Sequence, residues 1–293
     1  MKNIHLLLLS LYLLSINSTE ARVSEKIIGG EIVTSITEPT FSYTVRLLIK
    51  QSFSPVDAPE LGKRSFSNKC SGVVVSPGKI LTAAHCFPSS LEVEINGKMR
   101  KVRLIDRVIR VFSWFKAGSP EFTGIIADDY VTHPDYDENW TSNVSDFWNP
   151  TEKINDIAIV LHSEPLNYQK TPIELSERPV ETFKNKIFRL SGFGKSSRSQ
   201  IEMSQLKYVD IKYNRILKNE IDFALGDGNF ESPSEVKNPK GGCFGDSGGP
   251  IVVDNELVGL ISRGPGKENG DCFSSISIGT SIYPYIEWIR SIE

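Results

Sequence analysis

Hydrophobic positions along the chain fall into short runs rich in β-forming residues, separated by polar and turn residues. Ser76-Pro77-Gly78 and Asp254-Asn255 have the composition of tight hairpin turns. Many short strands joined by such turns predict an all-β sandwich or barrel. The predicted strands cover residues 43–49, 71–75, 102–112, 157–161, 187–190, 205–213, 251–253, 257–262 and 275–282.

A helical period occurs at the C-terminus. Ile282, Tyr285, Ile286 and Ile289 are spaced i, i+3, i+4 and i+7, which gives one apolar face. Pro284 suits the first turn of a helix. The pattern therefore predicts a C-terminal helix that docks on the core.

The N-terminus has the pattern of a secretory signal. Lys2 is followed by an apolar run at residues 4–16, which is too short to span a bilayer comfortably, and by a polar stretch. This favours a signal peptide at residues 1–18, cleaved between Ser15 and Ala21, over a membrane anchor. Later apolar runs are shorter still. We therefore expect a secreted, extracellular protein without a membrane partner.

The chain contains four cysteines, and in an exported protein an even number predicts two disulfides. Their spacing leaves three pairings open. A zinc site is disfavoured because close Cys-x-x-Cys pairs are missing, so no metal is expected. The cysteines are Cys70, Cys86, Cys243 and Cys272.

Two polar stretches, residues 51–68 and 135–150, are predicted to be surface insertions. The second contains Asn139 and Asn143, each within an Asn-x-Ser/Thr acceptor sequence, so both are predicted N-glycosylation sites. The net charge is only -3 over 293 residues. This mild balance gives no reason to expect nucleic acid as a partner.

Three segments contain the residue types that nucleophilic hydrolysis by serine requires. His85 lies in Thr82-Ala83-Ala84-His85-Cys86, Asp156 begins an apolar run, and Ser247 lies in a glycine-rich loop. Such a reaction needs a hydroxyl nucleophile, a histidine to take its proton, a buried carboxylate to orient the histidine, and donors for the oxyanion. Each segment alone is compatible with an ordinary structural role, but together they predict an active site.

The chain resembles the chymotrypsin/trypsin family of serine endopeptidases from residue 27 to about residue 291. The segments that carry the resemblance are Ile27-Ile28-Gly29-Gly30, Thr82-Ala83-Ala84-His85-Cys86, Asp156-Ile157-Ala158 and Gly245-Asp246-Ser247-Gly248-Gly249-Pro250.

The resemblance implies two six-stranded antiparallel β-barrels, with the active site between them. It implies that His85 is the general base and acid, that Asp156 orients it, and that Ser247 forms the acyl-enzyme. The amides of Gly245 and Ser247 would form the oxyanion hole. It also implies the pairings Cys70–Cys86 and Cys243–Cys272.

The resemblance further implies an inactive precursor. An activating protease would cleave after Lys26, and the new ammonium group of Ile27 would pair with Asp246 and order the oxyanion hole. Residues 19–26 would then be a short propeptide, and residues 27–293 the chymotrypsin-like protease domain. Active material is expected to begin at Ile27.

Two departures from the family matter. Residues 214–240 lack the cysteine of a third disulfide, and Phe223 or a neighbour replaces it, so this loop would be held by packing alone. Gly241 stands where trypsin-like members have an aspartate. Small residues predict a pocket for large apolar or aromatic side chains and poor cleavage after Lys or Arg. The predicted pocket residues are Gly241, Ser262, Arg263, Gly264 and Ser277.

Other interpretations stay open. Arg263 could instead favour acidic substrate groups, and Asp271 could reach the cleft. A non-catalytic binding protein of the same fold is the main functional alternative. An α/β-hydrolase esterase is disfavoured because there the serine precedes the acid and the histidine. We expect peptide or protein substrates, protein inhibitors as possible partners, a monomer, and no cofactor.

Overall fold

The computed structural model describes residue 27 and residues 29–34, 41–113, 124–138, 152–166, 170–195, 205–227, 240–264 and 276–293. These residues form two β-sheets and one short α-helix, with 3-10 turns at Pro59–Leu61, Ala84–Cys86, Val180–Phe183 and Tyr283–Tyr285. The predicted all-β fold class is confirmed. The leader at residues 1–26, Asn139, Asn143, Asp271 and Cys272 lie outside the described residues.

The first sheet is a half-barrel built from residues 44–161. Its antiparallel strand order is β5-β6-β2-β3-β4-β9-β8, with β7 paired to β6. Leu47, Ile49 and Phe53 of β2 are fully buried at alternating positions, because successive strand residues point to opposite faces. The strands are β2 (Thr44–Pro55), β3 (Arg64–Ser76), β4 (Lys79–Thr82), β5 (Ser90–Ile95), β6 (Lys98–Phe112), β7 (Ile125–Ile126), β8 (Asp129–Thr132) and β9 (Ala158–Leu161).

The second sheet closes into a six-stranded barrel. Its order is β12-β11-β14-β15-β16-β13, and β13 pairs back with β12, while β1 flanks β12 and β10 pairs with β15. Phe188, Leu190 and Phe223 fill its interior. The strands are β1 (Glu31–Ile32), β10 (Glu174–Leu175), β11 (Ile187–Gly192), β12 (Lys207–Ile216), β13 (Asp222–Leu225), β14 (Pro250–Val253), β15 (Glu256–Arg263) and β16 (Ser277–Ser281).

A shared apolar cluster joins the two sheets, with Leu81 and Ile157 from the first and Val252 and Leu260 from the second. The C-terminal helix, α1 (Ile286–Ser291), packs on this cluster. All four residues of the predicted apolar face are buried, so the predicted docking on the core is confirmed. The α-helix itself begins only at Ile286, because residues 283–285 form a 3-10 turn. Among the residues that the structure describes, none of the helices has the length and apolar character needed to cross a membrane.

Residues 51–68 differ from the predicted surface insertion. Strands β2 and β3 continue into this stretch and pair from Lys50 with Ser67 to Phe53 with Arg64. Phe53 is fully buried and meets Phe66 edge-to-face, with ring centroids 5.7 Å apart. The stretch is therefore a β-hairpin with its own small core, and the polar loop is confined to its tip.

The predicted disulfide between Cys70 and Cys86 is confirmed. It ties β3 to the 3-10 turn Ala84–Cys86 and so fixes the segment that contains His85. Cys243 is also disulfide-bonded, whereas its predicted partner, Cys272, lies outside the described residues.

Candidate active site

His85 and Asp156 are in direct contact. Strand β9 pairs with β4 so that Ala158 lies opposite Thr82, which brings Asp156 to the turn that contains His85. His85 Nδ1 lies 2.8 Å from Asp156 Oδ2, and the backbone N–H of His85 donates to Asp156 Oδ1 at 2.9 Å. The side chain of Asp156 is fully buried, whereas that of His85 is 27% exposed. The imidazole is therefore held on one side and open to the surface on the other.

The contact between these side chains sets their charge states. Burial alone would lower the pKa of His85, but the charge and hydrogen bond of Asp156 outweigh it and raise the pKa above its ordinary value. Burial would raise the pKa of Asp156, but His85 and two further hydrogen bonds outweigh it and lower the pKa. Asp156 therefore stays ionised, as an orienting carboxylate requires.

Ser262 provides a further contact to this carboxylate. Its hydroxyl donates to Asp156 Oδ2 at 2.6 Å, from the C-terminal end of β15. The sequence predicted Ser262 only as a wall of the specificity pocket. The structure adds a link from the second sheet to the buried acid of the first.

The loop around Ser247 lies against the same segment of the first sheet. Ser247 O accepts a hydrogen bond from Ser71 N at 2.8 Å, and Gly248 N donates to Ile261 O at 2.7 Å. Gly248 has φ of 77°, and a Cβ at this position would lie 2.1 Å from Thr82 Oγ1. Only glycine fits there, and this close approach brings Ser247 next to the turn that contains His85.

No hydrogen bond joins Ser247 Oγ to His85 among the described residues. Catalytic hydrogen bonds of this kind often tighten only in the reacting complex. The geometry therefore joins His85 with Asp156 directly, and places the Ser247 loop beside them through the backbone of Ser71 and the side chain of Thr82.

Two backbone N–H groups in the serine loop, one of them that of the serine itself, have no hydrogen-bond acceptor among the described residues. Within the described part of the chain, neither Gly245 N nor Ser247 N donates a hydrogen bond. Gly245 has φ of 97°, a conformation that L-residues rarely adopt. Unpaired N–H groups in a turn of this kind can bind a developing negative charge.

Ser71 is a site residue that the sequence did not predict. It lies on β3, and its fully buried hydroxyl donates to Gly245 O at 2.9 Å and accepts from Phe193 N at 2.9 Å. The side chain thus fixes the peptide that follows Gly245. The only sequence signal was its position next to Cys70, which does not reveal a contact 174 residues away.

For the peptide hydrolysis that the family resemblance implies, replacing Ser71 with alanine is expected to lower kcat about 10-fold with little change in KM. The alanine leaves Gly245 O and Phe193 N without their partner, so the two free amides are held less firmly. Steady-state kinetics on a peptide ester and on a peptide amide measure the effect. Ser65→Ala on the exposed hairpin is the control and should leave both constants unchanged. Unchanged kinetics in Ser71→Ala would contradict the assignment.

Asp246 is buried beside the serine. Its carboxylate accepts hydrogen bonds from Gly194 N at 2.7 Å and from Cys243 N at 2.9 Å. Burial nevertheless raises its pKa to about 6, despite these bonds and the charge of Lys207. The buried Lys207 Nζ donates to Gly194 O at 2.9 Å. These hydrogen bonds and the Lys207 charge thus stabilise the ionised form of Asp246 less than burial destabilises it.

The predicted cleavage segment runs along β12, the strand of the second sheet that contains Lys207. Ile27 is fully buried in the core of that sheet. Glu31 pairs with Tyr208, and Val33 N donates to Leu206 O, so the chain runs along the start of β12. Lys26 and Ile28 lie outside the described residues.

The predicted pocket residues come together at the ends of β15 and β16. Gly242 N donates to Ser277 Oγ at 2.9 Å, which joins the segment of Gly241 to β16. A Cβ at Gly264 would lie 3.4 Å from Ile276 O. Ser277 and the glycines contribute only neutral groups to this region.

Arg263 is directed into the protein. Its side chain is 3% exposed and forms an ion pair with the equally buried Asp222, with Arg263 Nη2 2.9 Å from Asp222 Oδ2. The guanidinium is thus directed toward a protein carboxylate and away from solvent. This disfavours the alternative that Arg263 attracts acidic substrate groups.

The described part of the stretch without the third disulfide, residues 214–227, is held by hydrogen bonds as well as by packing, and residues 228–239 lie outside the described residues. Asn219 Oδ1 accepts from the N–H groups of Ile221 and Asp222, and Asn219 Nδ2 donates to Asp222 Oδ2. Phe223 is fully buried in the second barrel and packs near Phe188. The prediction that packing alone holds this stretch is therefore incomplete.

No cluster of three or more metal-binding side chains occurs in the described ranges. The roles proposed for His85, Asp156 and Ser247 need no metal, because the imidazole and the amides supply the proton transfer and the charge stabilisation.

Comparisons with known proteins agree with this fold. A family model described as Trypsin matches residues 40–289. The chain is 29% identical to trypsin alpha-4 of Lucilia cuprina over 210 residues, which is 70% of this chain and 71% of that protein. It is 29% identical to kallikrein 1-related peptidase b24 of Mus musculus over 239 residues, 75% of this chain and 79% of that protein. The solved structure described as "Structure of GrC" matches with a TM-score of 0.59 at 20% identity, over 90% of this chain and 98% of that chain, and supports the fold alone.

Proposed function

Because the chain belongs to the trypsin family of serine proteases, we propose that it is a secreted serine endopeptidase that works through His85, Asp156 and Ser247. The observation that carries the proposal is the buried Asp156 bonded to His85 at 2.8 Å, beside a serine loop with two free amides. Peptide and protein substrates follow from the family.

In the proposed mechanism, His85 takes the proton of Ser247 as the hydroxyl attacks the substrate carbonyl. Asp156 holds the imidazole with Nδ1–H toward its own oxygen, which leaves Nε2 to act as the base. The amides of Gly245 and Ser247 donate to the oxyanion of the tetrahedral intermediate. His85 then gives the proton to the leaving amine, and water repeats the steps to release the acyl group.

Activation is proposed to follow cleavage after Lys26. The new ammonium of Ile27 would provide the cation that Asp246 needs, since burial raises the pKa of this carboxyl to about 6. Asp246 lies between Gly245 and Ser247, so an ion pair there would hold both oxyanion amides in place. The account links a proteolytic cut to the activity of the site.

For specificity, we propose a preference for large apolar or aromatic residues before the cleaved bond. Gly241 supplies no charge, and Asp222 is already neutralised by Arg263. A lysine or arginine side chain would lose its hydration in this pocket without gaining a counter-ion.

A peptide panel that differs only at the residue before the cut measures this preference. Phe, Tyr and Leu substrates are expected to exceed the Arg substrate in kcat/KM by at least about 10-fold. The matched pair Gly241→Asp and Gly241→Ser tests the cause, because only the aspartate should raise cleavage after Arg. Fastest cleavage after Arg by the wild type would refute the proposed pocket.

The proposed function is tested with the full chain expressed through a secretory pathway. Treatment with a protease that cleaves after lysine should yield material that begins at Ile27 and hydrolyses peptide bonds. A Lys26→Gln variant is the control and should remain inactive under the same treatment. A correctly cut, folded protein that hydrolyses no substrate would favour the non-catalytic alternative.

A further inference from the structure

A buried ion pair lies directly behind the His85–Asp156 contact. Arg263 and Asp222 have side-chain exposures of 3% and 1%, and their charged atoms are 2.9 Å apart. The aspartate is fully provided with donors, because Asn219 Nδ2 and Thr280 Oγ1 also donate to it, each at 3.0 Å. A buried pair with this many hydrogen bonds is fixed in one geometry.

The Arg263–Asp222 ion pair is connected to Asp156 through the hydroxyl of Ser262. Arg263 Nη1 donates to Ser262 Oγ at 3.3 Å, and Ser262 Oγ donates to Asp156 Oδ2 at 2.6 Å. A serine hydroxyl has one proton to give. Because the arginine occupies an acceptor position of Ser262, the serine proton is directed to Asp156. An unbroken chain of contacts thus runs from Asp222 to His85.

We propose that Arg263, fixed by its ion pair with Asp222, is a positioning residue that orients the Ser262 hydroxyl toward Asp156 and thereby holds His85 in its reactive orientation. This inference rests on the proposed function, since it assigns a role in the same site. It adds two residues that touch neither the substrate nor the reacting atoms, and it explains why a charged side chain is turned inward at the wall of the pocket.

The electrostatics support the geometry. Burial and Asp156 have the largest effects on His85, and the Arg263 charge then lowers the pKa of the imidazole. Among the described residues, Tyr285 is also close to both carboxylates, and its pKa is raised first by burial and then by Asp222 and Asp156. Within the described ranges, Asp156 and Arg263 are the charged groups that act on His85. Removing the Arg263 charge should therefore raise the pKa of His85.

The double variant Arg263→Gln with Asp222→Asn tests the proposal without leaving an unpaired buried charge. We expect kcat to fall about 10-fold with KM nearly unchanged, because the loss lies in orientation and not in substrate binding. The acid limb of kcat/KM should move to higher pH. The control is Arg178→Gln with Glu256→Gln, which removes an exposed ion pair at the opposite end of β15 and should change neither quantity.

Arg263→Lys is the second variant and is useful if the double variant does not fold. Lysine keeps the charge, so the acid limb should stay near that of the wild type. It cannot reach both Ser262 and Asp222 with a planar fork, so kcat should still fall several-fold. Wild-type kcat in Arg263→Lys would overturn the positioning role.

NMR titration of the His85 ring in a Ser247→Ala background gives a readout that needs no activity. The proposal predicts that the His85 titration moves to higher pH in the double variant. An unchanged titration and unchanged kinetics, with only a lower melting temperature, would overturn the proposal and assign the pair to packing. An inert wild-type enzyme would instead contradict the proposed function, while the titration would still decide the role of Arg263.

Discussion

Replacing Ser247 with alanine is expected to lower kcat/KM of the cut enzyme by about 10⁴- to 10⁶-fold. The variant keeps the pocket and the oxyanion amides, but it has no oxygen to form the acyl-enzyme. Peptide binding should change little, because the alanine removes one partly exposed hydroxyl. Single-turnover assays with a chromogenic peptide measure the loss.

The effects of replacing Ser247 and Asp156 on activity should not add, because the two residues act in one reaction step. Asp156→Asn is expected to cost about 10⁴-fold, since an amide stabilises the wrong tautomer of His85. Combined with Ser247→Ala, it should add almost nothing. The exposed Ser65→Ala variant is the control. A Ser247→Ala enzyme with more than a few per cent of wild-type activity would contradict the assignment of the nucleophile.

Replacing Asp246 with asparagine is expected to change how the stability of the uncut chain depends on pH. The folded pKa is about 6 against an ordinary value of 3.8, so the folded state keeps its proton after the unfolded state has lost it. Stability of the wild type therefore falls as the pH rises from about 4 to about 6. About two pH units at about 1.4 kcal/mol each give a loss of about 3 kcal/mol.

The asparagine variant lacks this ionisation and should show no such loss. Denaturant titrations at pH 4 and pH 7 give the difference between the two proteins. After cleavage behind Lys26, the proposed ammonium of Ile27 favours the ionised carboxylate, so the loss should vanish in the cut wild type. The cut asparagine variant should be about 10²- to 10³-fold less active, because its oxyanion amides are no longer held. A stability difference that is the same at both pH values would contradict the account.

The contact between His85 and Asp156 could be anticipated from the sequence, because short local segments contain both residues and the proposed nucleophile Ser247. Thr82-Ala83-Ala84-His85-Cys86 and the glycine-rich loop each encode a turn, and the order of the three residues distinguishes the candidate reaction classes. The pairing of Cys70 with Cys86 was implied by resemblance and was confirmed. Composition and spacing alone left three pairings open.

The strand pattern predicted the fold class but not the smaller strands. Strand β5 contains Glu92 and Glu94, and β13 begins with the buried Asp222, so neither has the composition of a typical strand. The sequence of the hairpin at residues 51–68 is mostly polar, because its outward face is polar. Phe53 and Phe66 form its core. These elements depend on partners far away in the chain, which a local pattern cannot show.

The supporting contacts of the site were beyond prediction for the same reason. Ser71 bonds to Gly245 across 174 residues, and Arg263 pairs with Asp222 across 41 residues. The sequence predicted Arg263 as a wall of the specificity pocket and did not indicate its inward direction. That direction depends on the carboxylate of Asp222, which lies on β13, and the pairing of β13 with β16 brings it to Arg263.

Labelling with a fluorophosphonate probe tests the central claim most directly. The uncut chain, the chain cut after Lys26, and its Ser247→Ala and His85→Ala variants are each incubated with the probe, and the modified peptide is identified by mass spectrometry. The account predicts stoichiometric modification of Ser247 in the cut wild type, at least about 10²-fold slower labelling of the uncut chain, and none in either variant. A cut, folded protein that begins at Ile27 and is not labelled at Ser247 would contradict it.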